Sequence, residues 1–272
     1  MLSEDDVTYQ ENLYCDGRAG KKIFENISKL NYLFKIGLLE MNLYSQPKNW
    51  LFGGAIMLYI IDYGMGNLGS VGNMLKKVGA QFVITSNPRE LEKATKLILP
   101  GVGAFDNAMK NLKELGLIDL IKFKVLEERV PILGICLGMQ LLTEGSEEGT
   151  LEGFGFIKGH ALKFHFEDNT LKIPHMGWNE VKLCKNSRLF AGMENQENRF
   201  YFVHSYEVEC TNKEDILTTT VYGYEFVSSF EKDNILGVQF HPEKSHKFGI
   251  MLYKNFVEGY QCLGQESYPY CS

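Results

Sequence analysis

Cys136 lies between two glycines, in Gly134-Ile135-Cys136-Leu137-Gly138, where the apolar run VPILGI gives way to GMQLLTE. This is the G-x-nucleophile-x-G pattern of a nucleophile elbow. A strand-to-helix turn this tight brings two stretches of backbone together and leaves no room for side chains at the flanking positions. It lifts the sulfur to the carboxyl edge of a sheet and aims it at a helix N-terminus, where the dipole and N–H groups favour thiolate. A buried cysteine beside a tight turn has the same local sequence, so the catalytic reading needs a base. Gly237-Val238-Gln239-Phe240-His241-Pro242-Glu243 places a histidine directly after an apolar strand and a carboxylate two residues on. Residues two apart on an extended segment point to the same side, so Glu243 can orient and charge-stabilise the imidazole of His241. Pro242 stiffens the link. In the order Cys136, His241, Glu243, the three groups make an activated thiol nucleophile.

A third element, Pro100-Gly101-Val102-Gly103, ends the apolar run KLIL. Two glycines around one valine allow peptide N–H groups to turn toward a developing oxyanion, although a plain strand-ending turn reads the same in isolation. A position at the carboxyl end of a neighbouring strand supports the oxyanion role. No metal site is expected. All six histidines follow residue 159, His160 and His165 fall on opposite faces of an alternating strand, and His175, His204 and His246 lack matching acids or thiols. GMGN lacks the third glycine and distal acid of a dinucleotide fingerprint, and there is no P-loop.

The elements that must position these groups follow a rhythm from Met57 onward. Short apolar strands (MLYIID, AQFVIT, KLILPGVG, VPILGI) alternate with helical stretches (LGSVGNMLKKVG, NPRELEKA, FDNAMKNLKELGLIDLIKFKVLEE, GMQLLTE). Continuous apolar strands between helices predict a parallel sheet covered on both faces. After the acidic loop GSEEGTLEG the texture changes to alternating, aromatic strands, predicting an antiparallel or mixed portion, and the stretch KFGIMLYKNFVEGYQ closes the chain as a helix.

Residues 1–56 stand outside this rhythm, and two readings of them stay open: a non-native leader before a true start at Met57, or a genuine extension. The expected organisation is a leader (1–56), one domain (57–258) and a tail (259–272). The net charge of −6 gives no reason to expect nucleic acid or an anionic membrane as partner. The longest apolar run, Leu51 to Ile61, is half the roughly 20 residues that a bilayer span requires. Six scattered cysteines match no zinc or disulfide framework and read as reduced, hence cytoplasmic.

Together the segments IIDYGMGNLGSV, LPGVGAFDNAM, PILGICLGMQLL, PHMGWN, YFVHSY and GVQFHPEKS resemble the class I (triad) glutamine amidotransferase family. More narrowly, DYGMGN, PHMGWN and HPEKS resemble the glutaminase subunits of imidazole glycerol phosphate synthases, from histidine biosynthesis. The resemblance implies an α/β, flavodoxin-like amidotransferase fold with a central, mostly parallel sheet, helices on both faces and a second, more antiparallel sheet portion. It implies hydrolysis of glutamine to glutamate and ammonia without a cofactor, with Cys136 as nucleophile, His241 as acid/base and Glu243 as orienter. The oxyanion segment maps onto Gly101, Val102 and Gly103, with the Leu137 N–H as second donor. Glutamine is expected against Gly103, Gln140, Glu148, Ser205 and Tyr206. For Glu148, pairing with the substrate's α-ammonium and simple solvation in an acidic loop both stand.

The family passes ammonia to a (β/α)8-barrel synthase subunit in a heterodimer, where a phosphoribulosyl substrate becomes imidazole glycerol phosphate. That places PHMGWN and HPEKS at the docking face, with Tyr201, Trp178, Asn179 and Lys244 toward the partner and Trp178 on an exposed loop rather than in the core. One departure is Gly69, in Asn67-Leu68-Gly69-Ser70, where the family usually has arginine. Three rival readings remain: a paralogue feeding ammonia to a surface or flagellar sugar amidotransferase, a stand-alone γ-glutamyl hydrolase, and a non-catalytic regulatory subunit. The complete triad disfavours the last.

Overall fold

The structure, a computed structural model, describes residues 57–166, 171–194 and 196–261. The expectations for the leader and most of the tail fall outside those residues. The strands are β1 (Leu58–Ile61), β2 (Phe82–Thr85), β3 (Lys96–Gly101), β4 (Ile132–Cys136), β5 (Gly145–Ser146), β6 (Gly159–Lys163), β7 (His175–Leu183), β8 (Asn198–His204), β9 (Tyr206–Cys210), β10 (Ile216–Tyr222), β11 (Tyr224–Lys232) and β12 (Ile235–Val238). They join in the order β2-β1-β3-β4-β12-β11-β10-β7-β8, with β9 pairing β11 and β6, and β5 pairing β6. The first five strands of that path are mutually parallel. From β11 outward the pairing is antiparallel. The order β2-β1-β3-β4 is that of flavodoxin-like sheets, and the fold class expected from the sequence holds.

The central parallel strands β1, β3, β4 and β12 are apolar on both faces because both faces are covered, whereas the edge strand β2 leaves Ile84 exposed. Tyr59, Ile61, Leu97 and Leu99 enter one core with the helix Phe105–Glu114. Leu58, Ile60 and Ile98 enter the other with the helices Leu68–Lys77 and His246–Gly259. Each fully buried Leu or Ile contributes about 1.5–3 kcal/mol, so this double layer is what fixes the strand ends. One buried charge serves the same end. Lys96 in β3 donates to the carbonyls of Phe256 and Val257, in the last turn of the His246–Gly259 helix. Burial pulls its pKa down to about 8.

Two expected elements differ. The long helix after Phe105 breaks at Gly116 (φ 67) into Phe105–Glu114 and Leu117–Lys122, and runs on as a π-helical turn, Phe123–Glu127. Left-handed backbone ends a helix, and glycine adopts it without strain. The other difference is PHMGWN. His175 to Asn179 are the first residues of the nine-residue strand β7, paired with β8, and not a loop.

Candidate active site

The three motifs meet at the carboxyl ends of β3, β4 and β12. Gly101 and Cys136, each the last residue of its strand, are register partners. Cys136 has left-handed backbone, φ 54 and ψ −111, and precedes the five-residue helix Leu137–Leu141. A side chain in this conformation is strained, and such strain persists only where the surroundings over-determine it. Here the determinants are the two glycines. A Cβ on Gly134 would lie 2.6 Å from the Gly138 carbonyl oxygen, and one on Gly138 would lie 1.8 Å from that of Leu99. The elbow read from the sequence is present.

His241 follows β12 and its backbone N–H donates to the Tyr201 carbonyl at 2.8 Å. Its Nδ1 is 2.7 Å from Glu243 Oε1, with both side chains 2% exposed. Nε2 has no hydrogen-bond partner among the described residues and is left for the thiol side. Burial pulls the imidazole pKa down, but the hydrogen bond to Glu243 and the nearby charges of Cys136 and Glu243 outweigh it and hold it up at about 10.

Cys136 and His241 open into one cavity of about 330 Å³, which Val102, Gly103, Gln140 and Glu148 also line. Ser205 and Tyr206, at the break between β8 and β9, lie in its wall with Leu137, Pro174, Val203 and His204. All the residues expected to hold glutamine are thus brought together. Glu148 is held in place by the Phe105 N–H, at the start of the Phe105–Glu114 helix, which donates to its Oε2 at 2.9 Å. Its loop is tied down by Asp106, whose carboxylate accepts from the Thr150 and Leu151 N–H groups at 3.0 Å. Gly103 has φ 107, and a Cβ there would meet Met65 at 2.6 Å.

Sequence reasoning passed over two residues. Gln239 is fully buried; its Nε2 donates toward Cys136 Sγ at 3.7 Å, and its Oε1 accepts from Gln140 Nε2 at 3.1 Å. The same two-residue spacing that linked His241 to Glu243 runs backward to Gln239. Tyr63, from DYGMGN, is buried beside Gly101 with no hydrogen-bond partner for its hydroxyl among the described residues. Burial, then the charge of Cys136, raises its pKa far above the ordinary range.

Three of the four residues assigned to the docking face form one surface. Trp178 and Tyr201 are register partners on β7 and β8. The Trp178 ring stacks on His246 at 5.4 Å, and the Lys244 ammonium lies 5.5 Å over the Tyr201 ring. Asn179 does not join them: the pleat turns it to the other face, where its amide donates to the Val221 carbonyl at 2.9 Å. At Gly69 a Cβ would meet nothing within 4 Å, so the position has room for a larger side chain. Among the described residues no helix is long and apolar enough to cross a membrane.

The model for the family "Glutamine amidotransferase class-I" matches residues 59–258. A Methanococcus maripaludis protein named imidazole glycerol phosphate synthase subunit HisH 2 is 58% identical, covering 74% of this chain and 99% of its own length. HisH 1 of Campylobacter jejuni strain RM1221 is 52% identical over the same shares. HisH 2 of Pseudomonas aeruginosa is 48% identical, again over 74% and 99%. Among solved structures, PurLQS from Thermotoga maritima shares the fold with a TM-score of 0.59 at 18% identity, covering 74% of this chain and 97% of that one. A Thermotoga maritima glutamine amidotransferase gives 0.51 at 21%, covering 76% and 86%.

Proposed function

We infer the function from one premise: the chain belongs to the class-I glutamine amidotransferase family. It serves as the glutaminase subunit of an imidazole glycerol phosphate synthase, in histidine biosynthesis. The observation that carries the mechanism is Cys136 at a strained elbow sharing one cavity with His241, whose Nδ1 is held 2.7 Å from a buried Glu243.

In our reading glutamine enters with its side-chain amide at Cys136 and its α-ammonium at Glu148. The sulfur of Cys136 attacks the amide carbon while His241 holds the thiol's proton on Nε2. The C=O π electrons move onto oxygen, and the resulting oxyanion is met by N–H groups of the Gly101–Gly103 segment and of Leu137. His241 gives its proton to the nitrogen, the C–N bond breaks, and ammonia leaves a glutamyl thioester. Water then attacks the thioester carbon, passing a proton through His241 back to sulfur as the C–S bond breaks, and glutamate departs. Glu243 keeps Nδ1 protonated and Nε2 turned to the sulfur throughout.

The ammonia is consumed by a (β/α)8-barrel synthase subunit bound as a heterodimer across Trp178, Tyr201 and Lys244, in a cytoplasmic setting that suits unpaired thiols such as Cys136 and Cys184. Glutamate release by the assembled pair tests the mechanism: Cys136→Ala removes it, and retained hydrolysis would refute it. A second reading has its own support. The relatives named above are numbered copies, HisH 1 or HisH 2, which fits a paralogue supplying ammonia to a sugar amidotransferase. Complementation of a histidine-auxotrophic knockout by this chain decides between the two pathways.

A further inference from the structure

Two histidines that the thiol chemistry leaves unused are buried beside the cavity. His175 in β7 and His204 in β8 stand directly opposite one another in the ladder, with His175 Nδ1 3.0 Å from His204 Nε2. The groups at the two ends of this pair dictate its protons. At one end Asn179 Nδ2 lies 2.9 Å from the Val221 carbonyl oxygen. A carbonyl only accepts, so the amide NH2 is what faces it. The same nitrogen is 3.2 Å from His175 Nε2. An NH2 group has nothing to accept with, so it donates, and the proton of His175 sits on Nδ1. That proton is donated to His204 Nε2, so His204 carries its own on Nδ1, which donates to the Tyr206 carbonyl at 2.8 Å.

The far end demands the same tautomer independently, because the Tyr206 carbonyl also only accepts. Donation therefore runs one way: Asn179, His175, His204, Tyr206. A proton added to either ring makes two donors meet somewhere along the line. Burial agrees, lowering His175 to about 4 and, with smaller contributions from His175 and His241, lowering His204 to about 3 against its bond to Tyr206.

The relay reaches the cavity at His204, which lines it, and at the Tyr206 carbonyl. That oxygen accepts a second bond, from Gln140 Nε2 at 3.3 Å, and Gln140 also donates to Gln239. At its other end the relay begins on β7, whose alternate residues Met176 and Trp178 are 62% and 40% exposed. Building on the glutaminase reading, we propose that His175 and His204 are positioning residues for that reaction. As a neutral hydrogen-bond relay they hold the Tyr206 carbonyl, and with it Gln140, in the geometry that receives glutamine, and they tie that wall of the cavity to β7.

The test is steady-state glutamine hydrolysis by the full chain assembled with its synthase subunit, with Cys136 alkylation by iodoacetamide measured in parallel. His175→Phe keeps a flat ring against Phe202 and Tyr222 and deletes both nitrogens. His175→Asn restores a donor near the Nδ1 position. His175→Phe is expected to raise KM for glutamine and lower kcat/KM about 10- to 100-fold, leave the alkylation rate within about twofold, and be largely rescued in His175→Asn. Unchanged kinetics in His175→Phe overturns the proposal. So do equal losses of turnover and alkylation, or a His175→Asn protein no better than His175→Phe. Asn179→Leu cuts the relay at its outer end, keeps the test alive if His175→Phe does not fold, and must show the same rise in KM; an unchanged KM there overturns the relay. Cys136→Ala is measured first. A wild-type complex without Cys136-dependent hydrolysis overturns the glutaminase reading and the relay with it, an outcome distinct from every relay failure.

Discussion

The two halves of the sheet solve different problems. The centre of the parallel half, β1-β3-β4-β12, is buried on both faces, so its side chains are spent on packing and only its strand ends can present chemistry. There it presents Cys136, Gly101 and, just past β12, His241. In β7 and β8 of the antiparallel half, one face is covered and the other carries exposed side chains. Each strand can therefore do two jobs at once, with alternate residues turned inward and outward. Rigidity sits with bond-making, and two-faced strands sit where an internal site and an outer surface must share one backbone.

Cys136→Ala is the harshest way to break this division. Glutamate release by the assembled pair should fall by at least about 1,000-fold. Substantial residual activity would mean that the chemistry lies elsewhere. Next in size is Gly138→Ala: a Cβ set 1.8 Å from the Leu99 carbonyl oxygen should cost more than about 3 kcal/mol in a urea titration, or prevent folding. A near-wild-type midpoint would show that the elbow is not packed as described.

Glu243→Gln should lower turnover by roughly 100-fold and move the basic limb of the kcat/KM profile to lower pH. The sign follows from the ionisation of His241. Its folded-state pKa, about 10, lies above the ordinary 6.5, so its contribution to stability is complete below about 6.5 and is lost as pH rises toward 10. Denaturation midpoints of the wild type should therefore fall over that window, and those of Glu243→Gln should fall less. The mildest test is on the other half. Met176→Ala should cost about 1 kcal/mol of affinity for the synthase subunit by calorimetry and leave the urea midpoint unmoved. A shifted midpoint would mean that this face of β7 belongs to the core.

How much of this could be read from the residue string follows the same division. The elbow and the His241–Glu243 pair were legible because each is a local pattern, a few residues whose spacing alone dictates geometry. The parallel sheet was legible because strands buried on both faces are continuously apolar. The relay was hidden because His175 and His204 are 29 residues apart and meet only through the β7–β8 register. Read singly, they were histidines lacking metal-binding neighbours. PHMGWN reads as a loop because Gly177 and Asn179 flank Trp178, yet Gly177, at φ 135, is accommodated inside a ladder. Asn179 was assigned outward with Trp178, an arrangement that adjacent residues of a strand cannot share.

The period of two in β7 has a consequence for how this segment can change over generations. Point substitutions at Met176 or Trp178 alter the outer surface and leave His175 and Asn179 where they are. A single inserted or deleted residue between His175 and Asn179 would do what no substitution can: it would put one end of the relay on the wrong side of the sheet. The segment should thus tolerate many spellings and only one length.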